Sequence, residues 1–116
     1  MMGERESNSE KYYFKNKLSD GWCAVRYPDG TVFGLSFPEQ KVPYLGILHN
    51  PGGWRDIYNI FLEPCTAPFD RPDVANLRGQ GSVVKAHSIY EWHLNITVDT
   101  APTVQRINSE GCLSPG

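Results

Sequence analysis

Residues 22–37 read Trp-Cys-Ala-Val-Arg-Tyr-Pro-Asp-Gly-Thr-Val-Phe-Gly-Leu-Ser-Phe. Two runs suited to strands, Trp22 to Tyr27 and Thr31 to Phe37, flank Tyr27-Pro28-Asp29-Gly30. Proline presets one turn dihedral and glycine supplies a positive φ, so the chain is expected to reverse here into an antiparallel hairpin. In the second arm Phe33, Leu35 and Phe37 fall on one face by the two-residue period of a strand, which predicts the buried side.

Working outward, Lys11 to Leu18 reads as a strand ended by Ser19-Asp20-Gly21, and Tyr44 to Leu48 as a short strand behind Pro43. The segment His49-Asn50-Pro51-Gly52-Gly53-Trp54-Arg55-Asp56 reads as a loop. Ile57 to Glu63 follows as a strand, with Tyr58, Ile60 and Leu62 on one face and Ile57, Asn59, Phe61 and Glu63 on the other. It should stop at Pro64, which has no N–H for a ladder. Residues 64–81 form an irregular connection with one helical turn over Arg71 to Leu77. A last strand, Ser82 to Val98, broken near Ala86, should turn Tyr90, Trp92, Leu94, Ile96 and Val98 inward and Glu91, His93, Asn95 and Thr97 outward. Residues 1–10 are expected to be disordered, residues 11–98 to form the domain, and the polar tail 99–116 to be loosely ordered. Three Trp, six Tyr, five Phe, eleven Gly and nine Pro punctuate these runs, and none sustains a helical period. The expected fold class is therefore all-β, an antiparallel β-sandwich.

With 116 residues the chain makes one ordinary domain, and 11 Lys plus Arg against 13 Asp plus Glu leave a net charge of -2. No basic field exists to attract a phosphate backbone, so nucleic acid is not an expected partner. The longest apolar run, about five residues at Tyr44 to Leu48, is far below the ~20 needed to cross a bilayer, so no membrane partner is expected. The opening MMGERESNSE has no apolar stretch of the signal-peptide kind, which predicts a cytoplasmic location. Cys23, Cys65 and Cys112 show no C-x-x-C spacing and are odd in number, as expected of thiols in a reducing compartment.

The chain has no P-loop, dinucleotide fingerprint or nucleophile elbow. His87 and His93 lack a third ligand, so neither a metal nor a cofactor is expected. Two residues stand out. Glu63 closes an otherwise apolar strand, and a carboxylate beside a sheet core is costly without partners or a task. It is either a general base or a strand-end side chain in water or paired with Arg26 or Arg55. Trp54, behind two glycines and beside Asn50, Arg55 and Asp56, either offers a sugar ring a flat apolar face or folds back to cap the sandwich. Trp22 and Trp92 read as core residues.

The blocks Val42-Pro43-Tyr44-Leu45-Gly46-Ile47, Asn50-Pro51-Gly52-Gly53-Trp54, Tyr58-Asn59-Ile60-Phe61-Leu62-Glu63-Pro64, Pro68-Phe69-Asp70 and Tyr90-Glu91-Trp92-His93-Leu94 resemble, in their order and spacing, the C-terminal part of aldose 1-epimerase-like proteins. Those belong to the galactose mutarotase-like superfamily. The match covers roughly residues 20–98, and Leu62-Glu63-Pro64-x-Thr66-x-Pro68-x-Asp70 is its most specific piece. The resemblance implies part of a many-stranded antiparallel supersandwich, with Glu63 as the base that removes the anomeric hydroxyl proton. The family's acid histidine comes from an earlier region with no counterpart here, which leaves His49, His87, His93 or water. Two functional readings follow. One is an aldose-binding surface around Glu63, Trp54 and Tyr44, with His49, Asn50 and Asp70 beside them and weak or no mutarotase activity. The other is a non-catalytic sandwich module that pairs with itself through exposed sheet edges, since half a supersandwich leaves edges uncovered and a homo-oligomer would cover them.

Overall fold

A computed structural model describes residues 10–51 and 58–115. In chain order the elements are β1 (Glu10–Tyr13), β2 (Trp22–Arg26), β3 (Thr31–Ser36), β4 (Tyr44–Pro51), β5 (Tyr58–Cys65), the helical turn α1 (Pro72–Leu77), β6 (Asn95–Thr100), β7 (Arg106–Ile107) and β8 (Leu113–Ser114). They build three antiparallel sheets with strand orders β1-β4-β5, β2-β3-β6 and β7-β8. The fold is all-β and sandwich-like, as turn spacing and alternation predict.

The hairpin forms where its residues dictate. The Gly30 N–H donates to the Tyr27 carbonyl at 2.9 Å, the Thr31 N–H donates to Asp29 Oδ1 at 2.8 Å, and Gly30 adopts φ 93°. Leu35 and Phe37 of this arm pack with Cys23, Val42 and Leu45, and Leu18, Ile47 and Leu62 close around them. That cluster is the apolar layer between the two three-stranded sheets, and each fully buried aliphatic in it contributes ~1.5–3 kcal/mol. Strand alternation then decides everything on the far side of the β1-β4-β5 sheet. With Leu45, Ile47 and Leu62 facing the core, Gly46, Leu48, Phe61 and Glu63 face away from it, as do their β1 partners Lys11 and Tyr13.

Several sequence expectations are corrected. β1 is shorter than predicted, although Phe14 and Leu18 still donate to the Leu45 and Pro43 carbonyls as the chain runs beside β4. β5 continues through Pro64 to Cys65, because β5 is an edge strand and an edge tolerates a missing donor. Strand β6 begins only at Asn95, and residues 82–94 carry no regular structure. Its ladder partner β3 ends at Ser36, opposite Asn95, and Pro38 lies just beyond. The predicted inward set is also reversed. Ile96 and Val98 are 64% and 70% exposed, and Tyr90, Trp92 and Leu94 are exposed as well, whereas Asn95 and Thr97 are half-buried. The core cluster spans β2 and β3 but stops short of β6, leaving Ile96 and Val98 bare and Phe33, expected on the buried side with Leu35 and Phe37, exposed beside Val98. The other face of the sheet is covered by the chain after Asp99, which was expected to be loose. Ile107 is 1% exposed, and its Cδ1 lies 2.1 Å from where a Cβ on Gly34 would stand, so only glycine admits it. Asn95 Nδ2 donates to the Ser109 carbonyl and Thr97 Oγ1 to the Gly111 carbonyl, while Arg106 forks onto the Asp20 carboxylate at 2.7 and 3.1 Å. Trp22, expected in the core, is half-buried.

Candidate functional site

Across the outer face of the β1-β4-β5 sheet, Tyr13, Gly46 and Glu63 lie in one row of paired residues, with Lys11, Leu48 and Phe61 in the next. Gly46, itself buried, lets the Tyr13 ring lie down on this row. A Cβ there would stand 2.8 Å from Tyr13 Cε1 and 3.4 Å from Glu63 Oε2, so any larger residue would push apart the side chains that flank it. Lys11 reaches over diagonally and sets its ammonium 3.0 Å from Glu63 Oε2. The side chains of Lys11 and Glu63 keep 27% and 37% of their exposure, yet Glu63 Oε2 itself is shut off from solvent, with the ammonium as its partner.

Beyond Glu63 the chain runs through Pro64 and Pro68 and turns back over the sheet. Phe69 takes φ 72°, a left-handed conformation that costs a residue with a side chain ~1–3 kcal/mol and persists only where the surroundings hold it. Here the Tyr13 ring meets the Phe69 ring edge-on at 5.7 Å, and the Arg78 guanidinium stacks 5.0 Å above Phe69. The turn delivers Asp70 to the cluster. Asp70 Oδ1 accepts from Lys11 Nζ at 2.6 Å and from the Tyr13 hydroxyl at 2.5 Å. One ammonium thus joins two carboxylates seven positions apart in sequence, leaving one net negative charge on the face.

These contacts set the proton affinities. The Lys11 ammonium and, next, the Tyr13 hydroxyl hold the Asp70 carboxyl below its ordinary range. Partial burial alone would favour loss of the Lys11 proton, but bonds to Asp70, Tyr13 and Glu63 outweigh it and push the ammonium well above its usual value. Tyr13 is raised, first by burial and then by donating to Asp70. At neutral pH the lysine and the phenol both keep their protons.

Of the residues singled out by sequence, the structure brings Glu63 and Asp70 together. It places Tyr44 and Asn50 on the same face of β4 as Gly46, both buried, at 3% and 2% exposure, with Asn50 opposite Asn59. Asn59 Oδ1 is buried without a hydrogen-bond partner. His49 projects from the opposite face of β4, away from Glu63, so it is not an acid for that carboxylate. His87 and His93 lie in the exposed irregular stretch. Trp54, and Arg55 with it, falls outside the described residues. Arg26 instead donates to the Ala101 carbonyl at 2.8 Å. Sequence reasoning missed Lys11 and Tyr13. Their alternation with Tyr12 is visible in the sequence, but only strand register sets them beside Gly46 and Leu48. Among the described residues no three His, Cys, Asp or Glu side chains gather as metal ligands, and no helix is long and apolar enough to cross a membrane. Compared with family models, curated proteins and solved structures, the chain matches none.

Proposed function

We propose that the outer face of the β1-β4-β5 sheet binds a small carbohydrate, an aldose, with Glu63 toward the anomeric hydroxyl. The observation that carries the proposal is the convergence of Glu63 and Asp70 on the Lys11 ammonium, beside the Tyr13 ring where it rests on Gly46. Hydroxyl groups can donate to the two carboxylates and can accept from Lys11, the mixed polar set that a polyol needs. Phe69 and Tyr13 supply apolar surface beside it.

Binding is better supported than turnover. Opening a pyranose requires a proton taken from the C1 hydroxyl and another given to the ring oxygen, each positioned group contributing ~10²–10⁴-fold. Glu63 suits the first task. For the second the face offers Lys11 and Tyr13, both of which hold their protons too firmly to be good acids. Aldohexoses titrated into the labelled protein should give saturable amide shifts at Tyr13 and Gly46, with polarimetric mutarotation slow or at the buffer rate. The Glu63→Gln variant should lower any mutarotation by orders of magnitude while changing affinity by no more than ~1–3 kcal/mol. Absence of shifts at tens of millimolar sugar removes the proposal.

A second reading is favoured by a separate observation. Ile96 and Val98 stand bare on one face of β6, and the outer edge of β6 pairs with no strand among the described residues. An uncovered edge with adjacent apolar surface is a template for a second copy of the chain. Sedimentation should then show a dimer that Ile96→Asp dissociates. A strict monomer from micromolar to millimolar concentration rules it out.

A further inference from the structure

Away from Glu63, residues 79–83 and Tyr90 border an open-sided cavity of about 250 Å³ beside Tyr44 and Thr66. Lys17, Gln40, Lys41, Gln80 and Ser82 turn toward it, and none of its lining residues is acidic. Unlike Lys11, Arg71 and Arg106, the two lysines here are not paired with a carboxylate among the described residues. Lys17 has no hydrogen-bond or ion-pair partner among the described residues. Lys41 donates to a neutral group, the Glu91 carbonyl, at 2.6 Å and lies 5.7 Å over the Tyr90 ring. The Gly81 and Ser82 N–H groups have no backbone acceptor among the described residues. Two ammonium groups without a carboxylate partner, two amides without a backbone acceptor and a hydroxyl thus border one cavity and offer donors to an anion.

A second cavity of about 450 Å³ shares Thr66, Gly81 and Ser82 with the first and is walled by Pro68, Phe69 and Pro72. We propose that the two cavities together bind a phosphomonoester, with the phosphate between Lys17 and Lys41 and the organic part against Phe69 and the prolines. Amides and ammonium groups supply donors to the phosphate oxygens, and the first cavity is too large for a bare phosphate to fill, since one water takes ~30 Å³. The assignment uses different charged groups from the carbohydrate proposal, because neither Glu63 nor Lys11 lines either cavity, and the two proposals share only Phe69.

The test is a titration of the whole chain with phenyl phosphate and, separately, with inorganic phosphate at constant ionic strength, followed by amide shifts. Phenyl phosphate should saturate shifts at Gly81 and Ser82 and bind at least tenfold more tightly than inorganic phosphate. The double variant Lys17→Gln/Lys41→Gln, both exposed positions whose fold is checked by circular dichroism, should weaken phenyl phosphate at least tenfold. Lys85→Gln, outside both cavities, should leave it unchanged. No saturable shift at tens of millimolar, or an equal loss in the Lys85 variant, overturns the site. Equal affinity for the two probes overturns the assignment of the second cavity.

Discussion

Replacing Lys11 with methionine keeps the aliphatic stem and removes the charge that joins Glu63 to Asp70. Glu63 Oε2 then loses its partner. The Lys11 and Glu63 side chains keep 27% and 37% exposure, so water screens the pair and the contribution is that of a surface ion pair, ~0.2–1 kcal/mol. At an unfolding entropy of ~2.1 cal/mol/K per residue, the whole chain has about 0.24 kcal/mol/K, so Tm should fall by up to ~4 °C. The pH dependence carries the sharper signal. Asp70 has its pKa lowered in the folded state, so its contribution is present above the unfolded value near 3.8 and is lost as pH falls through the lower folded value. Lys11 has its pKa raised, so its contribution is complete below 10.5 and is lost only as pH rises through the higher folded value. The difference in Tm between wild type and Lys11→Met should therefore be full at pH 7 and smaller at pH 2, because Asp70 gains its proton as the pH falls through its lowered value. Thermal unfolding followed by circular dichroism at both pH values decides it. The same difference at both would mean that the stem packs and the charge does nothing. No difference at pH 7 would mean that the ammonium joins nothing.

Other outcomes follow from the same structure. Gly46→Ala puts a methyl 2.8 Å from the Tyr13 ring, and the overpacking should cost about 1–3 kcal/mol in denaturant unfolding; an unchanged midpoint would show that Tyr13 gives way freely. Ile107→Ala, at a 1% exposed position, should cost ~2–4 kcal/mol, whereas Ile96→Ala should stay within ~0.5 kcal/mol in the monomer; comparable losses would mean that the C-terminal hairpin does not dock on Gly34. Burial pushes the Cys23 thiol up to about 12, so a thiol reagent near pH 8 should label exposed Cys112 rapidly and Cys23 only on unfolding. Rapid labelling of both would contradict the packing of the core.

By itself the sequence determined the local geometry. Pro28, Asp29 and Gly30 carry the hairpin because their conformational limits act within four residues, and the alternation through Phe61, Leu62 and Glu63 separates an apolar from a polar face because a strand has period two. It also marked Glu63, since a carboxylate beside a core is visible without coordinates, whereas Asp70 stood out only through the resemblance carried by Leu62 to Asp70. Tertiary structure alone decided which faces are covered. Ile96 and Val98 alternate as a buried strand would, yet the opposing sheet ends before β6, while the polar tail supplies Ile107 to the other face. Register alone decided the partner of Glu63. Lys11 lies 52 positions earlier, and nothing local distinguishes it from Lys15 or Lys17. Pairing of Tyr13 with Gly46 and of Gly46 with Glu63 sets Lys11 in reach, because antiparallel pairing turns distance along the chain into a few ångströms across a sheet.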